Sequence, residues 1–112
     1  MTDKQFRALA GDALTSGDRD AFVSDWALSS IWGDAPDGDI PTERLAQIGD
    51  IWDAAHRSIR DIAAAAGLSH RKLAEHFCVP YRTMEDWCGS RSVPPDYVRL
   101  MMQECLGLLS RD

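Results

Sequence analysis

The sequence predicts an all-α protein, and three observations carry that expectation. Residues 68–87 read as two short helices joined by a tight corner, with small and apolar residues where crossing helices must touch. Ahead of them Leu45, Ile48, Trp52, Ala55, Ile59, Ile62 and Ala66 recur at alternating three- and four-residue steps, the spacing of a heptad seam. The rest of the chain reads as helix, turn or short loop, with no repeat and no low-complexity tract. At 112 residues, 45% hydrophobic and with four Trp, the chain suits one folded domain carrying an appended arm.

Taken in order, residues 3–15 form a short helix with Phe6, Leu9, Ala10 and Ala13 on one side and Leu14 beside them. Ser16, Gly17 and Asp18 punctuate it, and Asp18 or Asp20 caps a second helix over residues 21–32 that sets Phe22, Trp26 and Ser29 on one face. Residues 33–39 make an acidic, turn-rich linker. The spacing of Asp34, Asp37 and Asp39 invites a calcium reading, but the further oxygen ligands and closing Glu of a calcium loop are missing. From Pro41 a long helical pattern runs to Gly67, with Pro in the first turn and Gly at the end. Its earlier part packs on the N-terminal helices or on a second copy, and Gly49 counts against a long rigid coil. A last helix over residues 95–109 has Val98, Met101, Met102, Cys105 and Leu109 as its inner stripe.

Within the 68–87 run, Leu73, Ala74 and Phe77 share one face of the first helix, and Met84 and Trp87 give the inner face of the second. Ala74 offers only a methyl group at the crossing, so the backbones approach closely, and Val79 plugs the corner. The chain continues Cys88-Gly89-Ser90-Arg91-Ser92-Val93-Pro94-Pro95-Asp96-Tyr97. This arrangement resembles the helix-turn-helix of the Cro and phage-repressor family, in which a Trp late in the second helix is followed by a Gly-containing basic loop, a Pro and another helix. The likeness covers residues 59–109. Two positions depart from the pattern: Cys78 stands at the corner where Gly is usual, and the loop glycine is Gly89, one residue early, with Ser90 in its stead.

The resemblance implies a lambda-repressor-like helix-turn-helix bundle over residues 58–112, a connecting helix over 41–57 and an acidic helical extension over 1–40. It implies double-stranded DNA as partner, a second helix entering the major groove, and a homodimer on a two-fold operator. Base-edge contacts would fall to Tyr81, Arg82, Thr83, Glu85 and Asp86. Arg82 is suited to the O6 and N7 acceptors of guanine, Tyr81 to a thymine methyl or a phosphate, and Asp86 to orienting Arg82 from one turn away. Phosphate contacts would come from Ser69, His70, Arg71 and Lys72, and from Ser90, Arg91 and Ser92 in the loop.

Charge opposes this reading without removing it. Residues 1–56 hold four basic and eleven acidic side chains, a balance of −7, whereas residues 57–112 hold eight basic and seven acidic, a balance of +1. Phosphate contacts supply much of DNA affinity, so a near-neutral module must turn its cations toward the duplex. The alternative is a repressor-like interaction module, antitoxin-like in kind, whose acidic half docks a basic protein. Catalysis finds little support: His56, His70 and His76 make no metal spacing with Cys78, Cys88 and Cys105, and no cofactor is implied. The odd, irregular cysteines fit reduced thiols in a cytoplasmic protein. No apolar stretch reaches the length of a membrane span, and residues 1–5 show no signal-peptide pattern.

Overall fold

The computed structural model describes residues 1–33 and 40–111, so the Asp34, Asp37 and Asp39 segment lies outside the described residues. The described chain is all-α: α1 (Asp3–Ala13), α2 (Arg19–Ala27), a 3-10 turn (Ser30–Trp32), α3 (Thr42–Ala55), α4 (Ile59–Ala66), α5 (His70–His76), α6 (Tyr81–Cys88) and α7 (Asp96–Cys105). No helix among the described residues is long and apolar enough to cross a membrane. The helices fall into two compact units, Met1–His56 joined by Arg111, and Arg57–Ser110.

In the first unit α3 packs against both α1 and α2. Phe6, Leu9, Ala10 and Ala13 of α1 are all buried, as the one-sided spacing requires, together with Phe22, Ile48, Ile51 and Ala54. A capping box starts α1: Thr2 accepts from the Gln5 N–H at 3.1 Å, and Gln5 Oε1 accepts from the Thr2 N–H at 2.8 Å. Asp18 caps α2 through the Ala21 N–H. The helix expected over 21–32 ends instead at Ala27. Ser29 turns its hydroxyl onto the Ile31 N–H, opening the 3-10 turn, and Trp32 Nε1 donates to the Trp26 carbonyl at 2.7 Å. These bonds satisfy terminal groups that a longer helix would have used itself.

Gly49 has a specific reason to be glycine. The Arg19 guanidinium crosses α3 at that point, in contact with the space a Cβ would fill, and reaches Asp53 with Nε–Oδ1 at 2.9 Å and Nη2–Oδ2 at 3.2 Å. The hydrogen bond and charge of Asp53 raise the Arg19 pKa, holding the guanidinium in its charged form. At the other end of α3, His56 stacks on Trp52 with ring centroids 4.0 Å apart and donates from Nε2 to the Ala13 carbonyl.

The long helix expected through residue 66 is broken at His56, Arg57 and Ser58. Ser58 adopts an extended backbone (φ −75°, ψ 164°) and caps α4 through the Asp61 N–H at 3.1 Å. A Ser side chain offering the backbone this local partner competes with an uninterrupted helix, and here it wins.

The second unit closes α4, α5, α6 and α7 around Ile59, Ile62, Ala63, Leu73, Ala74, Met84, Cys88 and Met102. Phe77, Val79 and Trp87 pack half-buried against that core, and α5 and α6 pack directly on one another. Burial pushes the Cys88 thiol pKa up, opposed by the charge of Arg60, which suits a neutral packing role. The inner stripe of α7 differs from expectation: Val98 and Met102 face the core, while Met101 and Cys105 are exposed. Wholly buried Gln103 sets this rotation. Its Oε1 accepts from Arg57 Nη1 at 2.8 Å and its Nε2 donates to the Arg99 carbonyl, while Arg99 Nη1 donates to the Arg57 carbonyl at 2.7 Å. A buried amide is tolerable only when so partnered, so α7 is pinned to the start of α4 by polar atoms.

One device ends all four helices of this unit. After α4, Leu68 N–H donates to Ala63 and Gly67 N–H to Ala64; after α5, Val79 to Ala74 and Cys78 to Glu75; after α6, Arg91 to Asp86 and Ser90 to Trp87; after α7, Leu108 to Gln103 and Gly107 to Glu104. Each pair is a Schellman closure, whose pivotal residue needs a left-handed backbone. Gly67 (φ 70°) and Gly107 (φ 75°) meet that need freely, whereas Cys78 (φ 55°) and Ser90 (φ 60°) meet it under strain. Gly89, one residue early, is not left-handed; a Cβ there would stand 3.2 Å from the Glu85 carbonyl oxygen.

Cys78→Gly and Ser90→Gly are therefore each expected to stabilise the chain by about 0.5–1 kcal/mol, the relief of left-handed strain less the extra unfolded-state freedom of glycine. Gly67→Ala and Gly107→Ala should destabilise by about 1 kcal/mol; urea unfolding reads all four. Gly49→Ala gains about 0.8–1 kcal/mol of helix propensity but displaces Arg19 from Asp53, an exposed pair worth about 0.2–1 kcal/mol. Its net effect is expected to be small in the native background and to approach the full propensity gain once Arg19→Ala has removed the pair.

Candidate nucleic-acid interface

The pair α5–α6 owes its form to the corner. Ser69 caps α5 by accepting from the Lys72 N–H at 3.1 Å, so its oxygen is engaged while its own O–H stays available to donate. The left-handed Cys78 then reverses the chain, and Pro80 leads α6 with no side chain capping its first turn. The N–H groups of Tyr81, Arg82 and Thr83 thus begin α6 without a side-chain acceptor, and the first backbone bond closes from Met84 to Pro80. Met84 is fully buried and Cys88 nearly so, and that fixes which side of α6 faces out.

Arg82 and Glu85 are exposed on the side away from Met84, Thr83 and Asp86 are half-buried, and Tyr81, three residues before Met84 on the inner stripe, is exposed at the open N-terminal end of α6. The residues expected to contact phosphate are exposed at Ser69, Arg71, Lys72, Ser90, Arg91 and Ser92, with His70 half-buried. Two sets come together. The Arg71 guanidinium lies 4.2 Å above the centroid of the Tyr81 ring, joining the first turn of α5 to the first turn of α6. A guanidinium stacked on an aromatic face keeps its N–H groups directed outward in the ring plane. Asp86, expected to orient Arg82, pairs instead with Arg91 at 3.6 Å, and its carbonyl accepts from the Arg91 N–H at 2.9 Å. The Ser92 N–H donates to the same carbonyl at 3.4 Å, so the loop after α6 is tied to residue 86 three times, and Arg82 projects with no ion pair among the described residues.

Helical periodicity gives no sign of the stacking of Arg71 on Tyr81 or of the Asp86–Arg91 pair. The first joins residues ten apart across a corner. The second depends on the closure after α6, which returns Arg91 toward residue 86. Elsewhere an open cleft of about 280 Å³ in the first unit is lined by Gln5, Trp32, Arg44 and Gln47 among others, with no His or Cys. Among the described residues no three His, Cys, Asp or Glu side chains are grouped to hold a metal ion. No family model matches the chain, and no curated protein or solved structure matches it.

A double-mutant cycle tests the stacked pair. Arg71→Ala and Tyr81→Leu are each expected to destabilise the chain modestly, with a coupling of about 0.5–1 kcal/mol in urea unfolding. Strict additivity would mean that ring and guanidinium act separately.

Proposed function

We propose that this chain is a sequence-specific, duplex-DNA-binding transcriptional regulator of the helix-turn-helix kind, acting in the cytoplasm as a homodimer with α6 as its major-groove helix. The observation that carries the reading is the two-sidedness of α6. Its inner side is held in the core by Met84, its outer side carries exposed Arg82, and exposed Tyr81 stands at its N-terminal end. An exposed guanidinium at the start of a rigid helix can pair bidentately with guanine, and an adjacent aromatic ring can meet a thymine methyl. Arg71 on Tyr81, with Lys72, Ser69 and His70 beside it and Ser90, Arg91 and Ser92 in the following loop, supplies donors for phosphates on either side.

Asp86 takes a different part from the one its spacing suggested. Its carboxylate stands 3.6 Å from the exposed Arg91 guanidinium, a weak surface pair that keeps that cation near the end of α6. Glu85 stays exposed and acts as a selector, accepting from a cytosine amino group and disfavouring other bases at its position.

Selection of duplexes from a random library tests the reading. The native chain should enrich a defined sequence, with affinity falling steeply as salt rises. Arg82→Ala should weaken binding to the enriched duplex about 10- to 100-fold and flatten the preference at one base-pair position. Retention of no duplex at low salt would sink the proposal in favour of a module whose acidic half, at −7 over residues 1–56, docks a basic protein.

A further inference from the structure

The Arg71 guanidinium lies 4.2 Å above the centroid of the Tyr81 ring and so covers one of its faces. Tyr81 is 37% exposed, which leaves it nearly two-thirds covered and its ring held in one orientation before any ligand arrives. A ring capped in this way cannot stack a base on its covered face. What it presents is an apolar edge, at the open end of α6 and one residue before exposed Arg82.

We propose that Tyr81, positioned by Arg71, reads the C5 methyl group of a pyrimidine in the major groove, next to the base pair that Arg82 contacts. The assignment rests on the DNA reading and deepens it by naming the chemical group recognised. A C5 methyl is the apolar element of the major-groove code. Thymine carries it, and 5-methylcytosine carries the same group at the same ring position. Arg71 divides the contacts between two side chains. Its N–H groups, lying in the guanidinium plane, go to a phosphate, and the uncharged ring is left for the methyl. Tyr81 and Arg82 are consecutive at the start of one helix, so their side chains fall on adjacent base pairs.

Arg71 acts on the base through Tyr81 and is a positioning residue for that contact. Without the stack, the ring at the first residue of a helix with no side-chain cap turns freely, and ordering it offsets what burying the methyl contributes. Lysine in place of Arg71 keeps a charge for phosphate but not the flat surface that holds the ring. Burial of one methyl group corresponds to a gain in affinity of roughly threefold to fivefold.

Methyl exchange in the duplex enriched by the full chain tests the assignment. Each thymine is replaced by uracil and each cytosine by 5-methylcytosine, one position at a time, and affinity is followed by fluorescence anisotropy. At one pyrimidine, beside the base pair whose preference Arg82→Ala flattens, the methylated form should bind roughly threefold to fivefold tighter. There thymine is compared with uracil and, after exchange of the pair, 5-methylcytosine with cytosine; a gain in either comparison supports the proposal and names its source. Tyr81→Ala should abolish the gain. Arg71→Lys should also lose most of it while preserving the fall of affinity with salt, whereas Lys72→Ala should lower the salt slope by about one and keep the gain. Circular dichroism confirms that the three variants are folded. A duplex indifferent to every methyl exchange, or a gain that survives Tyr81→Ala or Arg71→Lys in full, overturns the proposal and leaves the DNA reading standing. Retention of no duplex at all removes both.

Discussion

The second unit depends on the bond from the Val79 N–H to the Ala74 carbonyl, made possible by the left-handed backbone of Cys78. Were that turn open, α6 would leave α5 in another direction, and Met84 could not share a core with Leu73 and Ala74. Closing it places the burial of Met84 and the exposure of Arg82 under one constraint, since the two lie on opposite sides of the same two-turn rod. A residue with a Cβ is strained in this position. The strain is tolerated because the packing of Leu73, Ala74 and Met84 is gained only in that geometry, an instance of local preference yielding to the core.

Polar atoms complete what apolar packing leaves undetermined. Oily side chains specify that α7 should bury a face but allow it to roll by a residue, since Met101 and Met102 are equally hydrophobic. Gln103 breaks the tie: only one rotation brings its amide to Arg57 while Arg99 reaches the Arg57 carbonyl. The exposure of Tyr97 and Met101 is thus a consequence of a hydrogen-bond network on the other side of the helix. In the first unit Arg19 crosses Gly49 to Asp53, adding one exposed guanidinium bridge between α2 and α3.

How much of this can be read from residues alone depends on the range of the interaction. Where a helix is set by neighbours within one turn, the sequence goes far: it narrows the cap of α2 to Asp18 or Asp20, of which Asp18 makes the bond, and it gives the one-sided face of α1. It fails where two local signals conflict. Ala55 and Ile59 keep the heptad step across the break, so periodicity runs straight through Ser58, although that Ser is as good a cap as Asp18. It fails again where the deciding partner is distant, as with Arg57 and Gln103, or with Trp26 donating to Asp12 at 2.8 Å and Arg111 reaching Asp3 at 3.0 Å. Of the interface, the exposed residues of α6 are legible from the helical period once Met84 faces inward. The stack of Arg71 on Tyr81 is not, because its geometry is set by the corner.

On the proposed reading, the acidity of α6 bears on selectivity rather than on affinity. A helix meant to hold any duplex would carry cations along its outer side, since each phosphate neutralised adds to binding regardless of sequence. Here the outer side offers Arg82 followed one turn later by Glu85, while Asp86 lies 3.6 Å from the exposed guanidinium of Arg91. A lone exposed carboxylate beside a lone exposed guanidinium weakens non-specific association and rewards only a base pair that satisfies both groups. On the proposed reading, the near-neutral charge of residues 57–112 is then a condition for discrimination. On that reading low affinity per copy follows from it, and a second copy on the proposed two-fold operator would restore binding without adding the cations that erase selectivity.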